Sequence, residues 1–166
     1  MLTLLFYFEF TNIIRLRDTL LLKLNQTTVI IKDNTFFLSH KNLMHSKENI
    51  ETILVTGAAG FIGAALVKAL LHLGVKVIGI DNINDYYSPS LKRKRLSEIT
   101  SIFGEAGKWF FYEIPIEDYE LFSNIITRYS PHVVVHLAAQ AGVRYSITNP
   151  FAYVQSNLVG FANVLE

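Results

Sequence analysis

From Ile50 onward, short unbroken apolar runs alternate with longer stretches of helical periodicity, the pattern of repeated strand–helix–strand units and a parallel sheet. Ile53-Leu54-Val55 reads as a buried strand. Beyond it, Ala64, Ala65, Leu66, Val67, Ala69, Leu70 and Leu71 make a helix apolar around most of its girth, and Gly74 is placed to end it in a left-handed cap. Val75 to Ile80 is a second strand that closes on Asp81. A polar loop from Asn82 to Pro89 and a basic helix over about Ser90–Ile102 follow. Lys108–Ile114 is predicted as a third strand and Asp118–Tyr129 as a third helix. His132–Leu137 is a fourth, buried strand running into Ala138-Ala139, and a last helix is predicted from Pro150 to Glu166.

Residues 1–49 have a different character, rich in Leu, Ile, Phe, Asn, Thr and Lys and free of glycine and proline. Val29-Ile30-Ile31 and Phe36-Phe37-Leu38, separated by Lys32-Asp33-Asn34-Thr35, suit a hairpin, and Ile13–Leu24 suits a helix. The apolar start lacks a basic flank and a small-residue cleavage site, and Glu9, Arg15, Arg17 and Asp18 cut it short of a membrane span. The segment is expected to be a loosely ordered, irregular extension, or sequence upstream of a true start at Met44; an amphipathic membrane-surface anchor is the alternative.

Chemistry concentrates where the first strand meets its helix, at Gly57, Gly60 and Gly63. A glycine directly after a strand permits a tight turn, a second lets the backbone approach a phosphate, and a third lets the helix pack closely on the sheet. The free N–H groups and positive dipole end of that helix then suit a pyrophosphate. A glycine triplet also occurs in connections that bind nothing. Strand, triplet, helix, cap, second strand and terminal acid in this order favour a dinucleotide, with Asp81 at the place of a ribose hydroxyl pair. The fold class is therefore α/β, a Rossmann-type doubly wound parallel sheet over residues 50–166.

Composition narrows the alternatives. With 51% apolar and 17% charged residues in 166, the chain can bury one core and little more. A net charge of +1 gives no general attraction to nucleic acid or membranes. Lys92-Arg93-Lys94-Arg95 is read as a solvated helix face, Trp109 to Tyr112 as core, and His132 with His136 as scaffold; no metal site is expected. The lack of cysteine fits a reducing, cytoplasmic compartment.

Thr56-Gly57-Ala58-Ala59-Gly60-Phe61-Ile62-Gly63 resembles the TGxxGxxG turn of extended short-chain dehydrogenase/reductases. Asp81-Asn82-Ile83-Asn84-Asp85-Tyr86-Tyr87 with Ser90-Leu91-Lys92, and His136-Leu137-Ala138-Ala139-Gln140-Ala141-Gly142-Val143-Arg144-Tyr145-Ser146, are similar to the matching segments of UDP-glucuronate 4-epimerases. Asn149-Pro150, Tyr153 and Ser156 to Gly160 continue the likeness, which covers residues 51–166. The resemblance implies a tightly held NAD, a UDP-sugar substrate and interconversion of UDP-glucuronate and UDP-galacturonate through a 4-keto intermediate. UDP-glucuronate decarboxylases and sugar 4,6-dehydratases are its near alternatives. Carried over by position, Gly57, Ala59, Gly60, Phe61, Ile62 and Gly63 serve the pyrophosphate, and Asp81 and Asn82 the adenosine ribose. Leu137, Ala138, Ala139, Gln140 and Asn157 line the cofactor, while Arg144 and Ser146 lie toward nicotinamide and substrate.

Two departures qualify that expectation. Many relatives carry Asp-x-x-Asp after the third strand, the first acid near the adenine; here the run is Pro115-Ile116-Glu117-Asp118, and that side-chain contact is lost. The family's catalytic Ser/Thr and Tyr-x-x-x-Lys lie beyond the helix containing Asn157. None of Tyr86, Tyr87, Tyr112, Tyr119 and Tyr145 has a lysine four positions later, so no catalytic residue is named. The domain is expected to be incomplete at its carboxyl end, and a non-catalytic dinucleotide-binding fragment is the reading from another class. Apolar surface left where later strands dock favours self-association, a homodimer in the simplest case.

Overall fold

The computed structural model describes residues 51–166 throughout; among the first fifty it describes the backbone of six strands. These are β1 (Leu2–Leu5), β2 (Phe10–Leu16), β3 (Thr19–Leu24), β4 (Thr27–Lys32), β5 (Thr35–Ser39) and β6 (Glu48–Asn49). β2 to β6 pair in sequence as an antiparallel meander, and the hairpin expected around Lys32–Thr35 is the β4–β5 pair. In place of the helix expected over Ile13–Leu24, Ile13–Leu16 lies in β2 and Thr19–Leu24 is β3, paired antiparallel from Ile13↔Leu22 to Leu16↔Thr19. Threonine and isoleucine favour the extended chain, and the polar Arg17-Asp18 step divides two runs each too short for a helix. The expected irregular extension is thus extended strand wherever it is described.

The remainder is an alternating α/β unit. Its elements are β7 (Thr52–Thr56), α1 (Phe61–His72), β8 (Lys76–Asp81), α2 (Pro89–Phe103), β9 (Trp109–Glu113), α3 (Tyr119–Tyr129), β10 (Val133–His136), α4 (Val143–Thr148), α5 (Pro150–Tyr153) and α6 (Gly160–Leu165). Four of the strands form a parallel sheet in the order β10-β7-β8-β9, and β1 pairs in parallel along the outer side of β10. Side chains alternate across this sheet. Ile53, Val55, Val77, Val133 and Val135 meet α1 and α2 on one face, whereas Leu54, Ile78, Ile80 and Val134 meet α3 and α6 on the other. Fully burying each such side chain stabilises the fold by about 1.5–3 kcal/mol, which sets the register against one-residue slips.

Helix ends follow the chemistry of their residues. Gly74 adopts φ +79° and its N–H donates to Leu71 O, so the expected left-handed stop to α1 is present. Pro89 opens α2, and the Asp118 carboxylate caps α3 by accepting from Leu121 N at 3.0 Å. The helix expected from Pro150 onward runs without a break to Leu165, in α and π turns. Between α5 and α6, Val154–Val159 widens into a π-type turn in which Gly160 N–H reaches Gln155 O. α4, an extra helical turn after Gly142, was not expected from the polar and aromatic residues there.

Candidate functional site

The parallel strands end together, and the loops beyond β7, β8, β9 and β10 line one cleft. At β7 the chain leaves Thr56 through Gly57 at φ +68°, where a Cβ would sit 2.8 Å from the Ala138 nitrogen and the Leu137 carbonyl carbon. Gly60 N–H closes the turn on Gly57 O at 3.0 Å. A Cβ on Gly63 would overlap that same carbonyl, so the first turn of α1 seats directly on the loop. α1 has neither a side-chain cap nor an acidic residue in its first turn. The N–H groups of Phe61 and Ile62, the first of the helix, lack intrahelical acceptors and are free for an anion. The Phe61 side chain stands 79% exposed, so this residue contributes backbone rather than packing.

Asp81 ends β8 beside that turn. Its Oδ2 accepts from Ala59 N at 3.1 Å and its Oδ1 from Ile83 N at 2.9 Å, with Ile83 held at φ +48°. Each carboxylate oxygen retains lone-pair capacity for a ligand hydroxyl. The buried Lys92 ammonium lies 3.9 Å from Oδ1 and donates to Asn84 O and Oδ1 at 3.0 and 2.7 Å. Burial pushes its pKa below the usual lysine value, against the opposing pull of Asp81. Lys92 also sits 4.7 Å from the Tyr87 ring centre, and Arg95 donates to Ala59 O at 3.2 Å and Tyr87 Oη at 3.0 Å. The basic helix thus braces the acid loop instead of presenting only a solvated face. Asn82 reaches the cleft, its Oδ1 accepting from Asn84 N at 3.1 Å.

The β10 loop is fixed by one hydroxyl. Thr56 Oγ1 accepts from Leu137 N at 3.0 Å and Ala138 N at 3.1 Å, and lies 2.8 Å from His136 Nδ1. With both acceptor sites used, the hydroxyl proton goes to Nδ1, which makes His136 the neutral Nε2–H tautomer. Burial agrees, pushing the imidazole pKa down to about 4. Further along, Asn157 Oδ1 accepts from Gln140 N at 2.8 Å and its Nδ2 donates to Gln140 O at 3.0 Å. Asn157 therefore holds the loop by its backbone and is not among the cleft-lining residues. Asn157→Ala strips both partners from Gln140, and an expected loss of about 2 kcal/mol would appear as a lower urea midpoint.

Of the residues expected from sequence, Gly57, Gly60, Asp81, Asn82, Leu137, Ala138, Ala139 and Gln140 line the cleft. Ala59 and Gly63 are buried in the turn behind it. Arg144 and Ser146 are not among its lining residues: Arg144 is exposed on α4, and Ser146 Oγ donates to Val143 O at 2.6 Å. Sequence reasoning did not single out Lys92, Tyr87, Glu117 and Ser156 as site residues, all of which line it. Two residues beyond Pro115, Glu117 Oε1 accepts from Ser156 Oγ at 2.6 Å. Among the described residues, no cluster of His, Asp and Glu is arranged to hold a metal, and no helix is long and apolar enough to cross a membrane.

Comparison with known proteins gives the same picture. Protein CapI of Staphylococcus aureus is 53% identical over 116 residues, covering 69% of this chain and 33% of that protein. UDP-glucuronate 4-epimerase 4 of Arabidopsis thaliana is 48% identical over 128 residues, 77% of this chain and 28% of the relative. The chain thus spans about a third of the length of the curated relatives it matches. Among solved structures, a UDP-glucuronic acid 4-epimerase variant from Bacillus cereus, in complex with a 4-deoxy-4-fluoro substrate analogue and NAD, superposes with TM-score 0.59 and 34% identity. It covers 69% of this chain and 35% of its own. The UDP-glucose 4-epimerase of Thermotoga maritima, with UDP-glucose, gives TM-score 0.57 and 35% identity, covering 69% and 32%. A family model described as GDP-mannose 4,6 dehydratase matches residues 54–166. Sharing that match and the parallel sheet that carries it, the chain belongs to this family of NAD-dependent epimerases and dehydratases, within the extended short-chain dehydrogenase/reductases.

Proposed function

We propose that residues 50–166 bind NAD for a nucleotide-sugar epimerase whose whole protein interconverts UDP-glucuronate and UDP-galacturonate. The observation that carries the proposal is the juxtaposition of a side-chain-free turn, an uncapped helix N-terminus and a terminal carboxylate on adjacent strands. The donor set matches the cofactor part by part. Backbone N–H groups of Phe61 and Ile62 meet the pyrophosphate where Cβ atoms at Gly57 and Gly60 would crowd it. Asp81 accepts from the ribose hydroxyls and repels a 2′-phosphate, favouring NAD over NADP. Ala138, Ala139 and Gln140 continue the wall toward the nicotinamide half, positioned by Thr56 and Asn157. Bound NAD supplies the hydride acceptor and donor for C4 of the sugar. Choice of a uronate sugar is supported by the UDP-glucuronate 4-epimerases among the curated relatives and by the Bacillus cereus structure. The family description favours a second reading, a 4,6-dehydratase. A cytoplasmic location and a homodimer accompany the first reading, and residues 1–49 form an extension of unknown role.

NAD at about 100 times its dissociation constant is expected to stabilise the chain by about 2.7 kcal/mol, read as a rise in melting temperature. Asp81→Ala should remove most of that rise. An unchanged melting temperature at saturating NAD would defeat the binding assignment. For the reaction, the full-length enzyme should convert UDP-glucuronate to UDP-galacturonate without releasing carbon dioxide or water; release of water would favour the dehydratase.

A further inference from the structure

The two sides of the parallel sheet differ in character. β9 ends one side, and only Trp109 among its five residues is buried. Glu113 closes that strand and pairs with Arg93, so the edge carries charge. On the other side, all four residues of β10 are buried. Val133-Val134-Val135-His136 has no lysine, proline or acid of the kind that keeps an edge strand from pairing with another chain. By its sequence β10 is an interior strand, one that needs a neighbour on both sides.

That neighbour comes from the front of the chain. In the doubly wound order 3-2-1-4-5-6, the place outside the fourth strand belongs to a fifth strand from later in the sequence. Taken from β7 onward, β9, β8, β7 and β10 hold the third, second, first and fourth places, and β1 lies where the fifth belongs. It runs parallel to the others, and its four residues match the whole of β10, from Leu2↔Val133 to Leu5↔His136. Leu2-Thr3-Leu4-Leu5 is uncharged, and the first charged side chain of the sequence is Glu9, so this segment joins a sheet without desolvating a charge. We infer that Leu2–Leu5 serves as the fifth strand of the parallel sheet, pairing in cis with the outer edge of β10. The pairing gives the extension a role. It closes the edge on which a second copy of the chain can otherwise add a strand. It also backs the strand that leads into the cleft wall at Leu137 to Gln140. The inference is independent of NAD binding.

Amide hydrogen exchange on the unaltered chain is the first test. Successive N–H groups of an extended strand point to opposite edges. With β1 in place, consecutive amides across Val133–His136 should all be protected, whereas an open edge leaves every second one exchanging fast. Replacing Thr3 and Leu4 together by proline removes a donor toward β10 whichever way β1 is turned. In Thr3→Pro/Leu4→Pro, alternate β10 amides should exchange about tenfold faster or more, the scale of one or two lost hydrogen bonds. The same variant should sediment as a larger species than the unaltered chain at equal concentration, because its freed edge pairs with another copy. Thr3→Val/Leu4→Val keeps every donor and should match the unaltered chain in both measurements. A melting temperature shows whether the proline variant is folded; should it not be, the amide pattern of the unaltered chain decides. Fast exchange of alternate β10 amides in the unaltered chain, or a folded proline variant that exchanges and sediments as the unaltered chain does, would overturn the inference. Protection that disappears on dilution together with a dimer would overturn it too, assigning the strand to a second copy.

Discussion

Gly57→Ala is expected to cost about 3 kcal/mol of folding stability and to weaken NAD binding about 100-fold or more. Two independent penalties meet at this residue. Its φ of +68° disfavours any Cβ, by about 1–2 kcal/mol. The Cβ would also stand 2.8 Å from the Ala138 nitrogen and 2.9 Å from the Leu137 carbonyl oxygen, atoms of another strand's backbone that no rotamer change can move. Relief requires the phosphate turn to part from the β10 loop, and both belong to the same cleft. Gly74→Ala is the control. Its φ of +79° is equally unfavourable, but its nearest neighbour is the flexible end of Lys108 at 3.5 Å, so it should cost about 1–2 kcal/mol and leave NAD affinity unchanged. Urea melts and calorimetric titration of both variants check the pair. Equal losses of stability in the two, with NAD affinity retained in Gly57→Ala, would show that the close approach to β10 is unimportant.

The parts of this molecule legible in sequence are those whose signal is local. Apolar runs marked β7 to β10 to within about two residues, and Gly74 and Asp118 marked helix ends, because each effect acts over a turn or less. What sequence could not show is which distant groups meet. Thr56 and His136 are 80 residues apart and bond only because the β10–β7 register sets them side by side. Read separately, one is a motif threonine and the other a scaffold histidine. Glu117 looked like an ordinary acid next to a helix cap until Ser156, 39 residues away, fixed its carboxylate. Lys92 was lost in a basic run that suggested solvent, since charge alone does not tell which lysine turns inward. Likewise Arg144 and Ser146 follow closely on Ala138 to Gln140 along the chain, but they lie on the extra helix α4 and are not among the cleft-lining residues.

The Thr56–His136 pair leads to the second large effect, on stability against pH. In the folded chain the imidazole titrates near pH 4, pushed down by burial, against an ordinary value of 6.5. Between those values the unfolded chain binds the proton and the folded chain does not, so acidification favours unfolding. The contribution is complete above about pH 6.5, falls by about 1.4 kcal/mol per pH unit below it, and is exhausted near pH 4 after a loss of about 3 kcal/mol. Other groups titrate in this range, so the decisive quantity is a difference between proteins. His136→Asn keeps an acceptor near the Nδ1 position for the Thr56 hydroxyl but removes the titration. Relative to the unaltered chain, its urea-derived stability should fall less steeply between pH 6.5 and 4, and parallel slopes would show that His136 does not control acid stability. Thr56→Val tests the hydrogen bonds themselves. It preserves shape but leaves Ala138 N and His136 Nδ1 without their partner and Leu137 N with only the backbone carbonyl of residue 56 at 3.3 Å, at an expected cost of about 2–3 kcal/mol at neutral pH. Because two of those three atoms belong to the cleft wall, the same change should weaken NAD binding, whereas His136→Asn at neutral pH should not. That split distinguishes the hydroxyl's part in shaping the cleft from the imidazole's part in setting the pH range over which the fold survives.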